Sequence, residues 1–82
     1  MHDRSIMASL MRRIEELANA NGARRVTAVR VELGALAHMD EPHFLEHWAE
    51  ASKATLAEGA GVEVRTSTEL FGVFLVDVEL ET

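Results

Sequence analysis

The 82-residue sequence has no cysteine, a shortage of basic residues and no long apolar run. Without cysteine, disulfides, thiolate zinc sites and thiol catalysis are all excluded. The 8 lysines and arginines face 14 aspartates and glutamates, a net charge of −6, which argues against nucleic-acid binding because phosphates need a basic surface. No apolar stretch approaches the roughly 20 residues of a membrane span. Asp3, Arg4, Arg12 and Arg13 interrupt any signal-peptide core, so we expect a cytoplasmic protein without membrane contact.

The motifs of common enzymes are missing as well. No serine lies in a Gly-x-Ser-x-Gly turn, which nucleophilic hydrolases use to expose the serine. Gly59 and Gly61 precede a strand pattern, whereas a phosphate-binding glycine loop leads into a helix. The sequence therefore predicts a protein that is not an enzyme.

Two segments have the spacing of amphipathic helices. In the first, apolar residues recur at steps of three and four over residues 4–20, and Asn21-Gly22 provides a left-handed stop. In the second, Asp40 is a candidate N-cap and Pro42 lies in the first turn. The residues predicted to share the buried side of this second helix are Phe44, Leu45, Trp48, Ala51 and Ser52.

Three segments alternate apolar and polar residues, as strands with one buried face do. The second covers about Val62–Thr68, and a short hairpin near 66–72 is predicted to join it to the third. The inward residues predicted for the first and third strands are Thr27, Val29, Val31 and Leu33, and Phe74, Val76, Val78 and Leu80. The α-β-α-β-β order predicts a single α+β domain over residues 1–82, with two helices packed on one face of a three-stranded mixed sheet.

The first residues of the chain can form a metal site by themselves. The α-amine of Met1, the main-chain nitrogen and ring of His2, and the main-chain nitrogen of Asp3 can surround one ion with four nitrogens. A square plane of nitrogens favours Ni(II) or Cu(II) over magnesium and calcium. The pattern is short, and on chemistry alone a frayed terminal histidine without a ligand is the more common interpretation.

Three further histidines offer a second candidate metal site. His43 and His47 are four residues apart and share one face of the second helix, a spacing that can hold a transition metal. His38 lies in the preceding connection. The zinc protease version of this spacing has glutamate directly after the first histidine, where this sequence has Phe44. A half-buried helix surface remains the alternative interpretation of the pair.

The segment "MHDRSIMASLMRRIEELANANGARRVTAVRVELGALAHMD" resembles the start of the HypA/HybF family of hydrogenase-maturation nickel metallochaperones. That family begins Met-His-Glu, continues with a serine and an amphipathic helix, and then reads Gly-Ala-x-x-Val, a strand and Gly-x-Leu. "KATLAEGAGVEV" and "FLVDVELE" extend the resemblance towards the end of the chain. The matching residues of the first segment are Met1, His2, Ser5, Gly22, Ala23, Val26, Val29, Leu33, Gly34 and Leu36.

The resemblance implies a nickel-binding domain of two helices on a three-stranded sheet. It implies that Ni(II) is held by the Met1 amine, His2 and the backbone at Asp3. It also implies two partners, namely the GTPase HypB, which meets the same terminus, and the precursor of the hydrogenase large subunit, which receives the nickel. The expected function is therefore a metallochaperone that delivers Ni(II) for [NiFe]-hydrogenase maturation.

The sequence departs from the family pattern in two places. Asp3 stands where glutamate is usual, which shortens the side chain by one methylene but leaves its main-chain nitrogen unchanged. The family inserts a zinc domain with two Cys-x-x-Cys pairs before its last strand, where this sequence has only "RTSTELFG". We therefore expect no zinc site. The alternative function is a metal-independent adaptor or regulatory paralogue that keeps the fold and the partner-docking surface.

Overall fold

The computed structural model describes residues 3–34, 40–68 and 72–82, without the side chains of residues 3 and 4. Two helices and three strands follow in the predicted α-β-α-β-β order, which confirms the α+β class. No helix within these ranges has the length and apolar character needed to span a bilayer. The elements are α1 (Asp3–Ala20), β1 (Arg25–Gly34), α2 (Glu41–Ala51), β2 (Gly61–Ser67) and β3 (Val73–Glu81).

The predicted glycine stop ends α1. Gly22 has a φ of +64°, in the left-handed region that residues other than glycine rarely adopt. The Ala23 N–H donates to the Ala18 carbonyl at 2.9 Å, and the Gly22 N–H donates to the Asn19 carbonyl at 3.1 Å. These two bonds form a Schellman motif, which satisfies helix carbonyls that would otherwise lack donors.

We expect Gly22→Ala to lower the free energy of unfolding by about 1 kcal/mol, because an L-residue pays about that much in the left-handed region. No atom lies within 4 Å of a Cβ added at Gly22, so the cost would come from the backbone alone. Urea unfolding of the wild type and of Gly22→Ala measures this change in the free energy of unfolding. Gly61→Ala is the matched control, since Gly61 is not left-handed and its added Cβ would meet only the Thr27 carbonyl at 3.9 Å. Equal losses in both variants would contradict the argument.

Asp40 caps α2 as predicted. Its backbone is extended, with φ −85° and ψ 176°, and its carboxylate accepts a hydrogen bond from the His43 main-chain nitrogen at 2.9 Å. Pro42 lies in the first turn, where its missing N–H costs nothing because the first amides of a helix have no intrahelical acceptor.

Removing the cap should destabilise the protein measurably. We expect Asp40→Ala to cost about 1 kcal/mol of unfolding free energy, because the amide of His43 would lose its acceptor. Asp40→Asn keeps a side-chain oxygen at the same position and should retain most of the stability. Parallel urea unfolding curves for the two variants test this, and a loss of equal size in Asp40→Asn would assign the effect to charge instead of capping.

The sheet has the strand order β2-β1-β3, so the predicted hairpin between β2 and β3 is wrong. β2 pairs with β1 in parallel and β3 pairs with β1 in antiparallel orientation, which confirms a mixed sheet. The crossover through α2 places β2 at one edge of β1, and β3 takes the other edge. Residues 68–72 join strands that lie two inter-strand spacings apart, about 10 Å, which five residues can bridge.

The inward face of β3 differs from the prediction in its first half. Phe74 and Val76, predicted to face inward, are 40% and 45% exposed. Leu75 pairs with Val31 whereas Asp77 pairs with Arg30, so Val76 is an extra residue. This β-bulge reverses the alternation along the strand, and the prediction therefore holds only beyond it, at Val78 and Leu80.

A second irregularity in the pairing of β1 with β3 changes which residues of β1 face inward. Val26 is fully buried and Thr27, predicted to face inward, is exposed. Val26 pairs with Leu80 and Ala28 with Glu79, which leaves Thr27 without a residue opposite. Its hydroxyl donates to the Glu79 carbonyl at 3.2 Å, which keeps the side chain at the surface.

The core lies between the inner face of the sheet and the two helices. Phe44 is its largest fully buried side chain. Leu45, predicted to be buried beside it, is 37% exposed, and the buried residues of α2 are Phe44 and Trp48. The buried apolar residues are Met7, Leu10, Met11, Ile14, Ala18, Val26, Val29, Val31, Leu33, Phe44, Trp48 and Ala57.

The outer face of the sheet has an arginine at its centre. The Arg30 guanidinium donates to Asp77 at 2.7 Å and to the Glu79 carboxylate, and its Nε lies 3.6 Å from Glu63. The hydrogen bond to Asp77, followed by that to Glu79, raises the pKa of Arg30. Because these carboxylates come from both outer strands, Arg30 links all three strands of the sheet.

Candidate metal centre

The topology brings both helix starts to one end of the sheet. Residues 21–24 connect α1 to β1, so α1 runs opposite to β1. Because β2 is parallel to β1, α2 must also run opposite to β1 to connect them. The amino-terminal ends of α1 and α2 therefore lie at the end of the sheet where β1 finishes at Gly34. Every residue predicted for a metal site belongs to the first two turns of these helices or to the segments before them.

Of the predicted terminal site, the structure describes only the backbone of Asp3. Met1 and His2 lie outside the described residues. Asp3 is the first residue of α1, and the first N–H groups of a helix have no intrahelical acceptor. The helix dipole favours negative charge at this position, which includes a deprotonated amide nitrogen. The main-chain nitrogen of Asp3 is thus not used in a hydrogen bond within the helix.

The structure places two of the three remaining histidines together. The ring centroids of His43 and His47 are 4.7 Å apart, with 33° between the ring planes. His43 is exposed and His47 is half-buried. His38 lies outside the described residues. Across the part of the chain that the structure describes, no cluster of three or more histidine, aspartate or glutamate side chains could hold a metal. The observed feature is therefore a pair of imidazoles.

His47 also lines a groove between α1 and α2, which the sequence analysis did not identify. The groove has a volume of about 950 Å³. Met7 and Met11, which are one turn apart on α1, form part of this groove. From the sequence, their spacing predicted only that they pack in the core. The groove-lining residues are Met7, Ala8, Met11, Arg12, Glu15, Glu16, Asn19, His47, Glu50, Ala51 and Thr55. His47 therefore lies on the side of α2 that faces α1.

Glu50 lies on α2 one turn beyond His47, and its carboxylate pairs with a lysine. Lys53 Nζ lies 2.8 Å from Glu50 Oε2. This hydrogen bond lowers the pKa of Glu50 and raises the pKa of Lys53. The negative charge of Glu50 is therefore balanced by the ammonium group of Lys53.

Comparison with known protein families identifies the family to which this chain belongs. A family described as "Hydrogenase/urease nickel incorporation, metallochaperone, hypA" matches residues 1–71, most of the chain. The chain belongs to the HypA family. The match starts at Met1 and includes the residues of the predicted terminal site.

Individual HypA sequences agree with the family match. The chain is 39% identical over 64 residues to the hydrogenase maturation factor HypA of Rhodobacter capsulatus, which covers 78% of this chain and 57% of that protein. It is 37% identical over 65 residues to HypA of Nitrosospira multiformis, covering 78% of this chain and 56% of that protein. The chain therefore spans a little over half the length of the HypA relatives that it matches.

A solved HypA structure has the same fold. The solution structure of the nickel metallochaperone HypA from Helicobacter pylori superposes with a TM-score of 0.86, covering 100% of this chain and 99% of that chain. Sequence identity is 17%, so the likeness concerns the fold. It confirms two helices on a three-stranded mixed sheet as the HypA arrangement.

Proposed function

We propose that this chain binds Ni(II) and delivers it for the maturation of [NiFe]-hydrogenase. The observation that carries the proposal is the HypA family match over residues 1–71, a family described by nickel incorporation. The names of the matched relatives, hydrogenase maturation factors, support the same pathway. As a carrier the chain would release its ion unchanged and catalyse no reaction.

The proposed cargo site consists of Met1, His2 and Asp3. The α-amine, the ring of His2 and the main-chain nitrogens of residues 2 and 3 supply four nitrogens, the set that suits square-planar Ni(II). The start of α1 at Asp3 supports this assignment, because the amide of that residue precedes the intrahelical hydrogen bonds. The net charge of −6 favours approach of a cation.

The partners that we propose follow from the same pathway. HypB, the GTPase, would dock at the terminal site, and the hydrogenase large-subunit precursor would receive the nickel, in the cytoplasm and without nucleic acid or membrane. We further propose that residues 1–82 form one nickel-binding domain without the zinc insertion. The short connection at 68–72 and a sequence without cysteine support this.

The function is tested in the organism that encodes the chain. Deleting its gene should abolish or strongly reduce [NiFe]-hydrogenase activity, and excess nickel in the medium should restore part of it. The wild-type gene should complement the deletion, and a His2→Ala gene should not. Normal hydrogenase activity and nickel content in the deletion strain would overturn the proposal.

The same experiment distinguishes the nickel carrier from the alternative function, a metal-independent adaptor. A metal-independent adaptor would complement the deletion equally well as His2→Ala, since its docking surface would not need the metal ligand. Capture of HypB by the wild-type chain and by His2→Ala to the same extent, with no nickel bound by either, would favour the adaptor.

A further inference from the structure

We propose that His43 and His47 form a second Ni(II) site on α2, separate from the terminal site. The proposal rests on the proposed nickel-carrier function for the identity of the metal, while the site itself is derived from the imidazole pair. Its ligands would be the two rings, with the remaining positions held by water or by a ligand of a partner protein.

The distance between the rings fits one shared ion. With metal–nitrogen bonds of about 2.1 Å, two imidazoles at right angles on one metal have ring centroids about 4.6 Å apart, and about 5.3 Å at the tetrahedral angle. The observed separation of 4.7 Å is short enough for both rings to reach one ion.

The charges on α2 favour a cation at the pair. The helix sequence EPHFLEHWAEA has three glutamates and no lysine or arginine. Lys53 balances the charge of Glu50, and Arg12 lines the same groove as His47. The negative charge that α2 adds beside the rings of His43 and His47 is therefore that of Glu41 and Glu46. Two imidazoles are few ligands for a retained ion, so the site would exchange its metal readily, as transfer requires.

The position of the pair suits a role beside the terminal site. His47 shares the α1–α2 groove with Met7, one turn after the start of α1. His43 lies one turn nearer the start of α2, about 6 Å along the helix axis from His47. Packed helices are about 8–10 Å apart. The pair therefore lies in the first two turns of α2, a helix that begins at the same end of the sheet as α1.

The two sites differ in what they require of the fold, and this makes them separable. The terminal site uses three consecutive residues, which an unfolded chain offers equally well. The pair exists only while α2 is helical, since the rings meet through i,i+4 spacing. Ni(II) bound at the pair must therefore stabilise the folded state, whereas Ni(II) at the terminus gives little stabilisation.

The test uses the full chain with His2→Ala, which lacks the terminal site, and Ni(II) as the probe. We expect calorimetry to show one residual, weaker Ni(II) site and thermal unfolding to shift upwards with Ni(II). Adding His43→Ala or His47→Ala should weaken the residual binding on the order of tenfold or more and abolish the shift. Ala49→Ser, at an exposed position of the same helix, is the matched control and should retain both.

The outcomes distinguish this proposal from the carrier function. Circular dichroism shows whether each variant is folded, and His43→Ala should be, since His43 is exposed. Residual binding that survives both histidine substitutions would overturn the second site and leave the terminal site intact. Loss of all Ni(II) binding in His2→Ala alone would also overturn it. Binding at the pair together with an intact His2-dependent site would support both proposals.

Discussion

Replacing His2 by alanine should remove the strongest Ni(II) site of this protein. In the proposed terminal site the ring of His2 closes the chelate that begins at the Met1 amine. Without the ring the metal would keep only main-chain nitrogens, and the amides among them bind after losing protons that they hold tightly at neutral pH. We expect wild-type protein to bind about one Ni(II) ion tightly, in a square plane of nitrogens. Calorimetry of His2→Ala should show that this tight binding is lost, by about two orders of magnitude or more in affinity.

A second variant tests the same site without touching the histidine. One glycine added before Met1 converts the amine into an amide and should lower affinity as much as His2→Ala does. Asp3→Ala is the matched control, because its main-chain nitrogen is unchanged, and it should bind nickel nearly as wild type does. The terminal site would be refuted by unchanged tight binding in both His2→Ala and the extended chain.

Local signals in the sequence predicted the elements of the fold well. The Asn21-Gly22 stop and the Asp40 cap each act through hydrogen bonds to residues at most five positions away, so the chemistry of a few side chains determines them. The apolar stripe of α1 was equally clear, because a helix with one buried face repeats its apolar residues every three or four positions.

Pairing of strands was less predictable, since it depends on residues far apart in sequence. A short connection between two strand patterns suggested a hairpin, yet β2 and β3 lie on opposite sides of β1. The bulge at Val76 likewise arises from the register of β3 against β1 and has no signal in the alternation itself. One extra residue was enough to invert the expected facing of Phe74 and Val76.

For the candidate metal residues too, features set by neighbouring residues were predictable, and features set by the packing of distant segments were not. The i,i+4 spacing of His43 and His47 predicted that they share a helix face, and their rings are 4.7 Å apart. The groove that His47 shares with Met7 could not be foreseen, because it depends on how α1 and α2 pack. For His2, the two-residue pattern alone favoured a frayed terminus, and it is the family match over residues 1–71 that supports a ligand.

Phe44→Ala should be the most destabilising single truncation that we consider. Phe44 is fully buried and lies on α2 between the two metal-binding candidates His43 and His47. Removing a buried phenylalanine ring costs about 3–5 kcal/mol, from lost apolar burial and the cavity that remains. A domain of this size has about 4–12 kcal/mol of stability in total, so urea unfolding should show a large part of it lost.

Leu45→Ala is the matched control, since Leu45 is the next residue of α2 and is 37% exposed. It should cost about 1 kcal/mol or less, because its truncation opens no enclosed cavity. Equal losses in the two variants would mean that Phe44 does not anchor α2 to the sheet. If it does anchor α2, Phe44→Ala should weaken Ni(II) binding at the imidazole pair as the helix loosens, while the His2-dependent site, built from consecutive residues, should keep its affinity.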